Sequence, residues 1–332
     1  MNAPRPIMVI GCPRSGTTLL QLMLHAHPRI AIPPENRFVL PAYHHRRRFG
    51  DLREPANRRR LAEWLVRGPK TKFASFGLDP DRMVEQIVAG PPTVGSALAT
   101  VFRAYAARFG KPRWGDKRPS YVTNLEIVSQ LYPAAQFVHI IRDGRDCVAS
   151  LKGKWWHHGG SYQAVSRWAQ AVDHGARAAR RLGPDTFYEL RYEDLVRDPE
   201  RELAALCGFL GEDYHPAMAE PARIAPLVPS TRSRDHALTR GSVTGSRIGS
   251  FVHRLEPWEV SLCEAVLAGR LRSHGYQLSG APPPPVAVRL RYEKVAFRHR
   301  FAEPRRLAVR GYQRLRRPPP VADRGQPAGQ PG

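Results

Sequence analysis

GCPRSGTT (residues 11–18) lies between a short apolar run, PIMVIG (6–11), and a longer one, TTLLQLMLHAH (17–27). The spacing is that of the phosphate loop G-x-x-x-x-G-K-[ST], in which the lysine reaches the β/γ-phosphates and the hydroxyl holds Mg²⁺. Gly11, Gly16 and Thr18 keep the pattern, but Thr17 stands where the lysine belongs. The second run has apolar residues at 19, 20, 22, 23 and 24, the reading of a buried helix. A strand, a glycine turn and a helix N-terminus together present free N–H groups and a positive dipole end to an anion. The stretch therefore predicts an α/β fold with an anion cradle that has given up its grip on a γ-phosphate.

Further strand–helix units follow. RIAIPPENRF (29–38) reads as a short strand that Pro33 and Pro34 terminate. Residues 51–110 have roughly helical spacing, broken at Gly68-Pro69 and Gly90-Pro91-Pro92, and are expected to cover the sheet. RWGDKRPSYV (113–122) leads into an amphipathic helix, LEIVSQLY (125–132). AQFVHIIRDGRDCVASLKG (135–153) holds a buried strand QFVHII, a turn at Asp143-Gly144 and a helix from Asp146. TFYELRYEDLVRDPERELAALCGFLG (186–211) gives a strand, a turn at Asp198-Pro199, and a helix with Leu203, Leu206 and Leu210 on one face. This alternation predicts a P-loop-like parallel sheet flanked by helices, with its site at the strands' carboxyl ends. From Pro282 the composition changes to PPPP, a basic stretch and a Gly/Pro/Gln end. The expected organisation is one domain over 1–281 and a partly disordered Pro-rich linker and basic tail over 282–332.

A net charge of +23 raises nucleic acid as a partner. From Ala281 onward, however, twelve Lys/Arg face three acids, and a second cluster is HHRRRFGDLREPANRRR (44–60). No zinc-finger, homeodomain, RRM or KH signature accompanies the charge, so nucleic acid is not expected as the main partner. The arginine run at 46–60 reads as a solvated helix face, with guidance of an acidic acceptor as the alternative. Cys12, Cys147, Cys207 and Cys263 form no C-x-x-C pair, which argues against a zinc site or disulfide framework. No apolar run approaches the roughly 18 residues that span a bilayer, and PIMVI is too short for a signal-peptide core. A cytoplasmic protein is expected. EPRRLAVRGYQRLRR (303–317) suits a basic amphipathic helix on an anionic membrane surface, or a solvated extension.

A kinase or GTPase would need the missing lysine and a strand-end aspartate for Mg²⁺. QFVHII instead ends in Arg142, a partner for a phosphate. Two anion stations result: the loop, and Arg142 with the hydroxyls of the helix after it. At these residues the chain resembles the sulfotransferases that use 3′-phosphoadenosine 5′-phosphosulfate (PAPS), in their bacterial, carbohydrate and natural-product type. That family has P-[RK]-S-G-T-[ST] after its first strand and R-D-x-R-D-x-x-x-S after a later one; here these are PRSGTT (13–18) and RDGRDCVAS (142–150). GDKRPSYV (115–122) resembles its E-K-x-P-x-Y segment, with Asp116 in place of the glutamate. RYEDLVRDPERELAALCGFLG (191–211) resembles its Y-E-D-L…D-P…F-L-G stretch, and SRIGSFVHRL (246–255) its late R-x-G loop.

The resemblance implies a metal-independent transfer of a sulfuryl group from PAPS to a hydroxyl of a carbohydrate, lipid or secondary metabolite. It implies that Arg14, Ser15, Gly16, Thr17 and Thr18 hold the 5′-phosphosulfate. Arg142 and Ser150 would hold the 3′-phosphate, with Arg247 and Gly249 closing over the donor. Tyr192 stands near the adenine or is ordinary core. Glu35 is the candidate base for the acceptor hydroxyl, although beside Arg37 it also suits a surface ion pair. Lys117 is the candidate contact to the sulfuryl or acceptor, against a solvated lysine; Arg14 is the third catalytic candidate. His25 and His27 are alternative bases, but are expected to cap their helix or meet solvent. His157 and His158, after Trp155-Trp156, are candidates for an acceptor pocket, Trp168 for the core, and Arg145 for a surface pair with Asp143 or Asp146. Two other readings stay open: a kinase-like phosphotransferase, and a basic nucleic-acid- or membrane-binding protein with a degenerate loop.

Overall fold

The computed structural model describes residues 4–225, 244–298 and 321. The run 6–11 becomes β1 (Ile7–Gly11), all five residues buried, and the next run becomes α1 (Thr17–Ala26). A strand apolar at every position must be covered on both faces, which is the condition of a parallel sheet. β1 lies at its centre. The five strands run in the order β2 (Ile30–Ala31), β3 (Arg113–Lys117), β1, β4 (Gln136–Ile141) and β5 (Phe187–Arg191). Every pair is parallel, with Val9 beside Lys117 on one side and Val138 on the other. Met8 and Ile10 face the larger core, while Ile7 and Val9 face a second one beneath α1.

The chain leaves β1 toward β2 and β3, then crosses to β4 and β5. The carboxyl end of β1 is therefore a switch point of the sheet, where such folds open a crevice. The glycine loop occupies it. The larger core is covered by α3 (Pro55–Arg67), α4 (Pro80–Ala89) and α5 (Val94–Arg108), preceded by the short α2 (Val39–His45). α6 (Leu125–Leu131) follows β3, and α7 (Gly144–Leu151) and α8 (Gly160–Leu182) follow β4. α9 (Tyr192–Arg197), α10 (Pro199–Leu210) and α11 (Pro257–Ser273) complete the layers.

RWGDK departs from its reading as a lead-in to a helix: it is β3, an interior strand. Its charges are buried because each has partners. Arg113 donates to the Arg5 and Leu210 carbonyls and pairs with Glu212. The arginine run at 46–60 is not uniformly a solvated face either. Arg46 is buried, lies 4.1 Å from the Tyr43 ring centre and donates to the Tyr43 carbonyl. Arg58 donates to the carbonyls of Val88 and Leu52.

Packed structure continues beyond Ala281. Residues 286–298 are helical, here α12, and carry Tyr292 and Ala296 into the larger core. The stretch 303–317 lies outside the described residues. No helix among the described residues is long and apolar enough to cross a membrane.

Candidate active site

Residues 12–16 turn tightly: the Ser15 amide donates to the Cys12 carbonyl, and Arg14 and Gly16 take positive φ of 76° and 103°. For arginine this is a strained conformation, costing on the order of 1 kcal/mol or more. Gly16 precedes α1, and no side chain caps that helix. Its first N–H groups thus face the crevice. The Ser15 hydroxyl is buried without a hydrogen-bond partner among the described residues. A buried orphan at the heart of a cradle is the mark of a site built for an anion.

Two further strands bring charge to this loop. Lys117, the last residue of β3, is 3% exposed. Its ammonium donates to Thr18 Oγ1 at 3.3 Å and lies 3.7 Å from Glu35 Oε1. Glu35 follows β2, and α1 fixes the backbone before it. Gln21 donates to the Pro33 carbonyl at 2.5 Å, and His25 Nδ1 accepts the Ile32 amide at 3.0 Å. Behind Glu35, buried Asn36 donates to Asp116 Oδ2 at 2.8 Å, and its own oxygen accepts from the amides of Phe38 and Val39. Tyr121 donates to the same Asp116 oxygen at 2.6 Å. Burial raises the Asp116 carboxyl above the ordinary aspartate value.

The second station forms where β4 meets α7. Arg142 donates to the carbonyls of Arg14 and Arg247 and pairs with Asp146 at 3.4 Å. Its Nε is buried and unpartnered among the described residues. Ser150 accepts from Arg14 Nε at 3.0 Å, so the two stations are joined. Tyr192 opens α9 instead of lying in a strand; its ring sits under the Arg142 guanidinium, 4.6 Å away, and against Gly16. Asp146 accepts from the Gly249 and Phe251 amides and the Ser250 hydroxyl, which holds the 247–251 loop over α7. Arg254 donates to the Ala149 carbonyl. Burial, then the charges of Arg247 and Arg142, hold its pKa below the ordinary arginine value. Three arginines around one aspartate leave positive charge for an anion to neutralise.

Eleven of the twelve residues expected at the site thus lie at or just after the carboxyl ends of β1 to β5 or on the 247–249 loop, and Ser150 reaches them from the last turn of α7. The histidines do not join them. His25 is 1% exposed rather than solvated, and burial with the Lys111 charge lowers its pKa to about 3, so it serves as a neutral acceptor. His27 accepts the Arg29 amide and meets the Asp213 carbonyl at 2.8 Å. His157 is buried against the Gly160 carbonyl, and His158 and Trp155 are exposed. Trp168 is core, its indole N–H donating to the Arg142 carbonyl. Arg145 is buried, not on the surface: its fork takes Asp143, Glu264 and the Gln277 carbonyl. Asp143 is thereby committed to α7 and Arg145, away from the loop.

Asn36, Asp146 and Arg254 escaped the sequence reading. Asp146 carried a signal, since it stands one helical turn after Arg142. Lys72 escaped it too. It is exposed, takes a φ of 62°, and senses Glu35, Lys117, Arg37 and Arg118 electrostatically.

Comparison with known proteins bears on the fold and the family. The chain is 28% identical to the protein-tyrosine sulfotransferase of Drosophila melanogaster over 296 residues, 85% of this chain and 54% of that protein. It is 29% identical to nodulation protein NoeE of Sinorhizobium fredii over 235 residues, 64% of this chain and 51% of that one. It thus spans about half the length of these two relatives. The sulfotransferase domain of a Synechococcus olefin synthase shares its fold, with a TM-score of 0.59 at 23% identity over 84% of this chain and 97% of that domain. A profile described as the sulfotransferase family matches residues 6–216, well over half of the length, from the glycine loop through β5 and α10; the chain belongs to the sulfotransferase family.

Proposed function

We propose that the protein transfers the sulfuryl group of PAPS to an acceptor hydroxyl. One observation carries the reading. The Lys117 ammonium stands between the Thr18 hydroxyl of the cradle and the Glu35 carboxylate, so the donor end and a base meet at one cation. PAPS supplies the activated sulfuryl group and a bisphosphorylated leaving group. Glu35 takes the proton of the acceptor hydroxyl as its oxygen attacks. Lys117, Arg14 and the first N–H groups of α1 stabilise charge on the bridging oxygen. Arg142, Ser150, Arg247 and Arg254 receive the 3′-phosphate, with the Gly249 turn above it. Tyr192 shapes the cradle by packing on Gly16 and Arg142. The reading needs no metal: Thr17 replaces the lysine that would grip a γ-phosphate, and Arg142 stands where a strand-end aspartate would help hold Mg²⁺.

The first test is calorimetric titration with 3′,5′-bisphosphoadenosine in EDTA. Micromolar binding that Arg142→Ala weakens at least tenfold is expected. No binding, with Mg²⁺-dependent ATP turnover instead, overturns the reading in favour of a kinase. For the acceptor, similarity to a protein-tyrosine sulfotransferase over 85% of the chain favours a phenolic hydroxyl beside the carbohydrate, lipid and secondary-metabolite classes. Transfer from PAPS to a tyrosine peptide, a simple phenol and a sugar alcohol separates these.

A further inference from the structure

Among the described residues, three of the five exposed large apolar side chains belong to α12: Val286 at 75%, Leu290 at 65% and Phe297 at 59% exposure. At about 100° per residue, the three fall within ~40° of one another on the helix. The opposite side is the docked one. Tyr292 and Ala296 are buried, Val288 packs on the core, and Arg291 lies 5.0 Å from the Tyr162 ring centre of α8. α12 is thus held in place by one face and turns a second apolar stripe outward.

Exposed Arg289, Lys294 and Arg298 flank the stripe, and exposed Glu293 stands at its edge, paired with Arg289. The sequence continues with Arg300, Arg305, Arg306 and Arg310 against Glu303. An apolar stripe flanked by cations is the pattern of a helix lying in a lipid headgroup boundary. Burying the stripe against a second copy would set these cations, on a chain of net charge +23, against their own kind. An anionic bilayer is complementary to them.

We propose that the outer face of α12 docks on an anionic phospholipid surface, with Val286, Leu290 and Phe297 entering the headgroup boundary and Arg289, Lys294 and Arg298 meeting lipid phosphates. The consequence is a catalytic body held where a membrane-borne or membrane-delivered acceptor is concentrated. The inference stands apart from the identity of the donor.

The test is co-sedimentation of the full chain with phosphatidylcholine vesicles made with and without phosphatidylglycerol. Binding to the anionic vesicles alone is expected, weakening as salt is raised. The double variant Val286→Glu/Leu290→Glu should lower partitioning by about tenfold or more while leaving the melting temperature unchanged. Three results overturn the proposal. One is no binding to either vesicle. Another is equal binding of parent and double variant, which would assign attraction to the arginines after residue 298. The third is a parent dimer in sedimentation equilibrium that the double variant converts to monomer, which would make the face a self-association surface.

Discussion

At Gly16 the backbone and a neighbouring ring make the same demand. Its φ of 103° suits glycine, and a Cβ there would stand 2.5 Å from Tyr192 Cδ2. Gly16→Ala should therefore cost about 1–3 kcal/mol of stability. It should also weaken bisphosphoadenosine binding, and urea denaturation with calorimetry reads both. Glu35 makes a different kind of demand. Its carboxylate is partly exposed and, among the described residues, meets the cradle through Lys117. Glu35→Gln should leave donor binding within a factor of about two while lowering kcat by about 10²–10⁴. A loss of donor affinity matching the loss of rate would assign Glu35 to holding Lys117, not to proton transfer. Both residues were legible in the sequence, one by glycine spacing and the other by its place after a strand. Asn36 was not. It is one polar residue among PPENRF, and its worth lies in the hydrogen bond from Asn36 to Asp116, 80 residues away.

Among the elements, the join between α7 and the 247–251 loop decides how the second station is built. A single carboxylate, Asp146, receives two amides and a hydroxyl from the loop while pairing with Arg142. Asp146→Ala leaves those amides without their acceptor, which should cost about 1–3 kcal/mol and release the loop. The expected signature is faster dissociation of bisphosphoadenosine in stopped-flow. Arg254→Ala should leave the loop in place, since Arg254 bonds the Ala149 carbonyl of α7 and not the loop itself. Its predicted effect is a rise of about tenfold in Kd with a shallower salt dependence, because only a phosphate-directed charge is lost. β3 shows why some elements hide from sequence. RWGDK alternates no apolar residues, and its charges are tolerated in the sheet interior through partners that include Glu212 and Asn36, each about 80 or more residues away in the chain. β1 and β4 could be read because a mostly apolar run there ends at a glycine or Asp turn.

For the molecule as a whole, a parallel sheet flanked by helices was legible, whereas its strand order and the terms that set its stability against acid were not. α1 reads as a buried helix from its leucines, but nothing in LLQLMLHAH shows that His25 must accept the Ile32 amide in its neutral form. Burial, then Lys111, lowers its pKa to about 3, while the unfolded chain titrates near the ordinary 6.5. Between those values the unfolded state binds a proton that the folded state refuses. The His25 contribution is complete above pH 6.5 and falls with pH, at up to about 1.4 kcal/mol per unit. Glu189 adds a second loss at lower pH. Burial opposes its ionisation, yet hydrogen bonds from His139 and His274 hold its pKa at about 2 against an ordinary 4.5. That stabilisation is present above pH 4.5 and is lost as pH falls toward 2. Urea denaturation measured from pH 8 to pH 4 should therefore show a plateau, then a decline that begins near pH 6.5. His25→Asn keeps an acceptor for Ile32 near the Nδ1 position without a titrating group. It should flatten the decline between pH 6.5 and 4.5 and leave the steeper loss below it. An unchanged slope in His25→Asn would place the acid sensitivity elsewhere, with His27 and His157, whose pKa burial also lowers, and the repulsion within a chain of net charge +23 as its source.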